Sequence, residues 1–290
     1  MAKNLDPLIV IVGETASGKS ALALELAEKF GGEIICADSW TVYKNFDIGT
    51  AKPSASDQAK IPHHLLDIAD PAQGFSAAIF KDLALAKISE ISSRGKLPFL
   101  VGGSGLYIDA VIYDYGFLPA PNKQLREQLN SLCIVELLNK AASQNLDTSQ
   151  IDVRNRRRII RLIENNGSLP TRQNLRPNTL ILGLTLADQG LQSKIAERVE
   201  IMIKNGLEQE ARQLSNRYGW EAEPIKGIGY REWQPYFKAQ ATLDETKRKI
   251  IKSTMELAKK QRTWFKRNKS IQWVDEKREA VEIITAFLNK

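Results

Sequence analysis

Cysteine, histidine and methionine are all scarce in this 290-residue chain, which has two, two and three of them. Two cysteines, Cys36 in an apolar run and Cys133 in a helix-like stretch, cannot build a disulfide framework or a cysteine metal site, so both are expected to serve packing. His63 and His64 follow Pro62 in a loop without metal-ligand spacing. No apolar run approaches the length of about eighteen residues that a membrane span requires, and the opening MAKNLDPLIVIVG runs straight into a strand pattern instead of a signal peptide. A cytoplasmic location is therefore expected; a monomer is expected too, although nothing in the sequence fixes the oligomeric state. Internal repeats and low-complexity tracts are also absent.

What is present is an ordinary globular composition, 43% hydrophobic and 26% charged, with a formal charge of +7. The composition excludes global disorder, and the positive excess suits a polyanionic partner such as RNA or DNA. The apolar runs Leu8 to Val12, Glu33 to Ala37, Leu97 to Val101 and Thr179 to Leu186 are short and nearly continuous, as buried parallel strands are. Helical periodicity fills Ser20 to Phe30, Ser76 to Ser93 and about Gln189 to Tyr218. This alternation predicts an α/β fold with a doubly wound parallel sheet. From Phe117 to Asn178 the pattern is helical only, entered through LPAPN and left through SLPTRQNLRPN. The chain thus reads as a core of residues 1–117 and 179–290 carrying a small helical insertion over 118–178. Leu243 to Asn268 reads as one long basic helix, and Ile271 to Val274 as a short final strand.

The strongest motif is GETASGKS, comprising Gly13, Glu14, Thr15, Ala16, Ser17, Gly18, Lys19 and Ser20. It matches G-x-x-x-x-G-K-[ST] between an apolar strand and an amphipathic helix, the setting a phosphate loop requires. Backbone N–H groups and the helix N-terminus cradle phosphate oxygens, Lys19 adds a mobile positive charge, and Ser20 can ligate a phosphate-bound Mg²⁺. Such a loop identifies a polyphosphate and leaves the reaction open. Phosphoryl-transfer enzymes commonly end a second apolar strand in an acid, whereas here the third predicted strand ends Val101-Gly102-Gly103-Ser104. The second ends Cys36-Ala37-Asp38-Ser39, placing Asp38 at the carboxyl edge of the sheet as a catalytic candidate, with a turn or helix-cap role as the alternative.

Four further segments stand in order along the chain: DSWTVYKNFDIGTAKP from Asp38, VGGSGLY from Val101, GIGYREW from Gly227 and ELAKKQRTWFKR from Glu256. With the loop, and with LLDIADP and RNRRRIIRLIE between them, they make the sequence resemble the tRNA dimethylallyltransferases. The resemblance implies transfer of a dimethylallyl group from dimethylallyl diphosphate to N6 of the adenosine immediately 3′ of the tRNA anticodon, releasing pyrophosphate. It implies Asp38 as the base for the attacking amine, with Lys19, Ser104, Arg231 and Mg²⁺ acting on the diphosphate. It also places Asp38, Ser39, Trp40, Thr41, Ser104, Arg126, Arg157, Arg158, Ile159, Ile160 and Arg161 on the path of the anticodon loop. Glycines 102, 103 and 105 are expected to admit close backbone approach.

The charge distribution agrees with an RNA partner. Arg154, Arg156, Arg157, Arg158 and Arg161 share one predicted helix, with Arg126 before it and Arg172 and Arg176 after it. From Lys247 to Lys269, ten Lys and Arg residues meet only Glu256. Trp40, Tyr43, Trp264 and Phe265 are available for base stacking or for the core. The sequence departs from the family pattern at Glu14, where Pro is usual, at Ser20 and Ser104, where Thr is usual, at Thr41, where Gln is frequent, and at Met255 and Lys260, where Arg is usual. Three rival readings share parts of this pattern. An adenylate isopentenyltransferase would act on free AMP or ADP, a small-molecule P-loop kinase would consume ATP, and an RNA-binding protein with a vestigial loop would release no pyrophosphate.

Overall fold

The computed structural model describes residues 5–119, 122–184 and 190–289. Ala120 and Pro121 of the expected entry hinge, and the boundary from Thr185 to Gln189, lie outside the described residues. The chain divides into two compact units, one of residues 1–112 and 175–290 and one of residues 113–174. The sequence places these limits at 118 and 178. In the structure the connecting segments belong to the smaller unit, because Gly116 bridges Thr171 in antiparallel fashion and Gln173 N–H donates to the Tyr113 carbonyl at 2.8 Å.

In the larger unit the strands are β1 (Leu8–Gly13), β2 (Gly32–Cys36), β3 (His63–His64), β4 (Leu97–Gly102), β5 (Thr179–Leu184) and β6 (Ile271–Val274). They form one parallel sheet in the order β3-β2-β4-β1-β5-β6. β1 is central, with Ile9 opposite Phe99 on one side and Leu180 on the other. Every residue of β1, β2 and β4 is buried, which explains the unbroken apolar runs of β1 and β4; the one charged residue among them, Glu33 of β2, is paired with His64 and Arg94. Ile9, Ile11, Phe99 and Leu182 meet Leu22 and Leu26 of α1 (Lys19–Phe30) and Ile284 of the C-terminal helix Lys277–Leu288. Val10, Val12, Leu100 and Ile181 alternate with them and are equally buried.

The helices between these strands are α2 (Ala55–Lys60), α3 (Ala77–Ser93) and α4 (Gly105–Ile112). Ser76, expected to open α3, is its N-cap, accepting from Ile79 N–H. α4 escapes the sequence reading because it is apolar on nearly all sides and shows no amphipathic period. β3 escapes it too, since a two-residue edge strand has no period; His64 pairs there with Ile35, and its Nε2 lies 2.7 Å from Glu33 Oε2.

The smaller unit packs α5 (Lys123–Ser131), α6 (Ile134–Ser143) and α7 (Arg156–Glu164) around Leu129, Leu137, Ala141, Ile159, Ile160 and Ile163. Cys133 corrects the packing expectation, being exposed at the N-cap of α6, whereas Cys36 is buried and its thiol is pushed up to about 12 by desolvation and the Asp38 charge.

After β5 the long helix expected to end at Tyr218 is two helices, α8 (Leu191–Lys204) and α9 (Leu207–Tyr218). Gly206, with φ of 97°, takes the left-handed conformation that separates them. α10 (Trp233–Phe237), α11 (Leu243–Phe265) and α12, the C-terminal helix already described, complete this unit. α11 opens with a reciprocal capping box between Thr242 and Glu245. A second core joins Val42, Tyr43 and Phe46 to Val199, Met202, Leu207, Tyr230, Trp233 and Ile250, and so fixes the loop after β2 against α8, α9 and α11.

Candidate active site

The phosphate loop leaves the carboxyl end of β1 with Ala16 at φ 62° and Gly18 at φ 86°, turning the chain into the first residue of α1, Lys19. A loop of this curvature points successive N–H groups inward, and the opening turn of a helix has N–H groups with no intrahelical partner. Lys19 Nζ donates to the Glu14 carbonyl at 3.2 Å. Desolvation brings its ammonium down from the usual lysine value to about 8; Asp38 opposes that shift, Arg198 adds to it and Glu14 opposes it. Ser17 Oγ is buried, with no hydrogen-bond partner among the described residues.

A cavity of about 350 Å³ opens beside the loop, lined by Thr15, Lys19, Ser20, Asp38, Trp40, Thr41, Arg198 and Arg231 among others. The structure thus brings together the loop, the end of β2 and the GIGYREW turn, segments separated by up to about two hundred residues in sequence. Asp38 Oδ1 accepts from Trp40 N–H at 2.9 Å, an Asx turn that aims the carboxylate while leaving its other oxygen with further acceptor capacity. Ser104 is not part of the cavity lining: its Oγ accepts from Ser39 N–H at 3.0 Å and donates to Ser39 Oγ at 3.3 Å. It braces the β2 loop, and donation to a diphosphate requires that second bond to be exchanged. Arg231 is exposed, its guanidinium donating to Glu232 at 3.0 Å and to Ser253 at 3.4 Å.

Arg198, on α8, was missed by sequence reasoning. It donates to Thr15 Oγ1 at 3.4 Å, and desolvation lowers its pKa while Asp38 opposes the shift. No motif marks it, because its helix reads as an ordinary amphipathic one. Thr41, the departure from the frequent Gln, is buried and its Oγ1 has no hydrogen-bond partner among the described residues, although the residue lines the cavity.

Helix α11 closes the loop from outside through two adjacent residues. Gln261 Oε1 accepts from Thr15 N–H at 2.8 Å, and its Nε2 donates to the Gly103 carbonyl at 3.1 Å. Arg262 forks onto Glu14 with bonds of 2.8 and 2.9 Å. Both lie in the quoted ELAKKQRTWFKR segment, so a signal existed, but it reads as charge rather than as loop support. The glycines after β4 serve the same packing. A Cβ on Gly102 would stand 2.0 Å from the Ala37 carbonyl oxygen, one on Gly103 2.3 Å from Gln261, and one on Gly105 2.4 Å from Trp264. The close approach they permit is between protein segments. Trp264 correspondingly lies over Gly105, its indole N–H donating to Asp109 at 3.0 Å, and Tyr43 and Phe265 are buried in the core.

In the smaller unit the arginines divide into two kinds. Arg126 and Arg161 both pair with Glu164, whose side chain is nearly buried, and Arg161 also donates to the Leu118 and Pro119 carbonyls. Arg156 donates to the carbonyls of Leu129, Asn130 and Leu132, capping the end of α5. Arg172 lies 3.7 Å over the Tyr113 ring. Arg154, Arg157 and Arg158 remain exposed. Ile159 and Ile160 are buried in the helical core, so their side chains are not available to RNA: these two expected contacts are corrected to packing, because they fall on the inner stripe of α7. Arg176, in the larger unit, donates to the Asp6 carbonyl at 2.9 Å. On α11, Arg248, Lys249, Lys252, Lys259 and Lys260 are exposed, while Lys247 pairs with Glu200 at 2.9 Å.

No helix among the described residues is long and apolar enough to cross a membrane. The family model described as IPP transferase matches residues 41–268. A tRNA dimethylallyltransferase of Roseiflexus is 41% identical over 276 residues, covering 90% of each chain. Among solved structures, the full-length tRNA isopentenylpyrophosphate transferase of Bacillus halodurans is similar with a TM-score of 0.77 at 35% identity, over 98% of this chain and 97% of that one. A eukaryotic dimethylallyltransferase described as acting on tRNA aligns with a TM-score of 0.79 at 25% identity, over 93% of this chain and 74% of that one.

Proposed function

The chain belongs to the IPP transferase family, and on that premise we propose that it is an enzyme that moves a dimethylallyl group from dimethylallyl diphosphate to N6 of the adenosine 3′ of the anticodon in tRNA. The observation that carries the reading is the single cavity lined at once by Lys19 and Arg198, two cations suited to a diphosphate, and by Asp38, an acid just past the end of β2. As the allylic C–O bond breaks, negative charge collects on the departing pyrophosphate, and preorganised cations stabilise that charge more than they stabilise the bound substrate. The adenine amine is a weak nucleophile because its lone pair is delocalised into the ring. Asp38, oriented by Trp40 N–H, takes its proton as the N–C bond forms. Arg231, at the cavity wall, adds a fork-shaped donor for phosphate oxygens.

The donor set fits Mg²⁺ in the manner of phosphate-loop proteins. Among the described residues no group of three or more acids, histidines or cysteines could hold a metal, so the ion would rest on the diphosphate oxygens and Ser20 Oγ, supplying further charge neutralisation. The exposed Arg157 and Arg158 supply phosphate contacts to the tRNA, as do the exposed cations of α11. Incubation with dimethylallyl diphosphate, Mg²⁺ and unmodified tRNA, followed by mass analysis of the nucleosides, tests the whole reading. N6-prenylated adenosine is the expected product. Prenylation of free AMP in its place, or ATP hydrolysis without prenyl transfer, would overturn it.

A further inference from the structure

Glu14 is an anomaly in a loop meant for anions. Its carboxylate is 3% exposed and sits inside the phosphate loop, one residue past β1, where the diphosphate of the proposed reaction would also rest. Its own carbonyl accepts from Lys19 Nζ and from Ser17 N–H, so the residue is built into the curve of the loop. A buried, unpaired carboxylate there would repel the ligand and weaken the fold. Its field does reach the anion-binding group, since Glu14 is among the charges that raise the Lys19 ammonium.

We propose that Arg262, reaching the loop from α11, is a positioning residue of the diphosphate site, which neutralises Glu14 and turns its carboxylate away so that the loop can accept pyrophosphate. The two-bond fork, at 2.8 and 2.9 Å, fixes both oxygens of Glu14. Gln261, the preceding residue on the helix, holds Thr15 N–H and the Gly103 carbonyl, so the charge pair sits on a stretch of α11 already anchored to the loop. The loop thus carries an acid together with its own matching arginine. The ion pair makes an acidic phosphate loop workable. This inference rests on the diphosphate-binding reading of the cavity.

Binding of inorganic pyrophosphate to the full chain, measured by calorimetry at constant Mg²⁺ and without tRNA, tests it apart from catalysis. Arg262→Ala should weaken pyrophosphate binding roughly 10- to 100-fold, the effect of one unit charge several ångströms away at an effective dielectric near 20. Glu14→Gln in that background should recover most of the loss, because the formal charge of the site is then restored. Glu14→Gln alone should tighten binding several-fold. A double variant as weak as Arg262→Ala would mean that Arg262 touches the anion itself or acts only as a mechanical tether, and would overturn the proposal. So would a loss confined to the KM for tRNA. If Arg262→Ala fails to fold, Glu14→Gln decides alone: tightening supports the proposal and weakening overturns it. Pyrophosphate binding that follows this pattern in a protein that prenylates no tRNA would sink the transfer reading and leave this one standing, whereas a parent chain that binds no pyrophosphate overturns both.

Discussion

The phosphate-loop cavity and the arginine helix α7 both concentrate cations, yet they spend them differently. Around the cavity Lys19 and Arg198 are desolvated and held beside the acid Asp38, and each is depressed by the loss of water. On α7 half of the charge is structural: Arg156 and Arg161 bind carbonyls or Glu164, and only outward-facing positions such as Arg157 and Arg158 stay open to solvent. A desolvated cation acts strongly on a single charged group because water no longer screens it, whereas an exposed one acts weakly, additively and in a salt-dependent way. The first arrangement suits chemistry on one diphosphate and the second suits grip on a polymer.

Lys19→Ala should break the comparison most severely. Transfer is expected to be lost while tRNA affinity, measured by filter binding, stays within a few-fold of the parent, and equal loss of both would make the loop part of the RNA site. Asp38→Asn follows, with single-turnover transfer falling roughly 10²- to 10⁴-fold. The amide oxygen can still accept from Trp40 N–H, so the turn survives and only the base is removed. A raised Mg²⁺ requirement with normal turnover at saturating Mg²⁺ would instead make Asp38 a metal ligand.

Acidity separates the two regions next. With Lys19 brought down to about 8, its charge is fully present below that pH and is lost as pH rises through it. Pyrophosphate affinity, corrected for the ligand's own titration, should therefore fall by up to about tenfold per pH unit as pH rises above about 8. Lys19→Arg should remove this fall, and an unchanged profile in that variant would assign it to another group. Salt separates the regions most gently. Arg157→Ala with Arg158→Ala should lower the log–log salt slope of tRNA binding by about two, one unit per phosphate contact, with the thermal midpoint unchanged. Arg161→Ala should do the opposite, costing about 1 kcal/mol of stability through the freed carbonyls and the loss of one of the two arginines paired with Glu164, with little change in slope. A full slope loss in Arg161→Ala would return that residue to the RNA face.

The parallel α/β sheet was legible in the sequence because buried strands must be apolar on both faces, and Leu8 to Val12 and Leu97 to Val101 show that run unbroken. The phosphate loop was legible because its curve, its lysine and its helix start are all local. Local pattern also marked Asp38 at a strand end and Gly18 before the helix. What a single sequence could not supply is which of several similar side chains faces inward. Five arginines on and before α7 look alike as letters, and the inward turn of Ile159, Ile160 and Arg161 follows from how α5 and α6 pack against that helix. Arg198 reached the cavity only because α8 lies beside the loop, and Gln261 and Arg262 became its supports only because α11 lies across it. The sequence determined the phosphate loop and the sheet that bears it, since both are encoded within a few neighbouring residues. The tertiary structure alone decided which cations are dry and which are wet, because burial depends on elements that are distant along the chain.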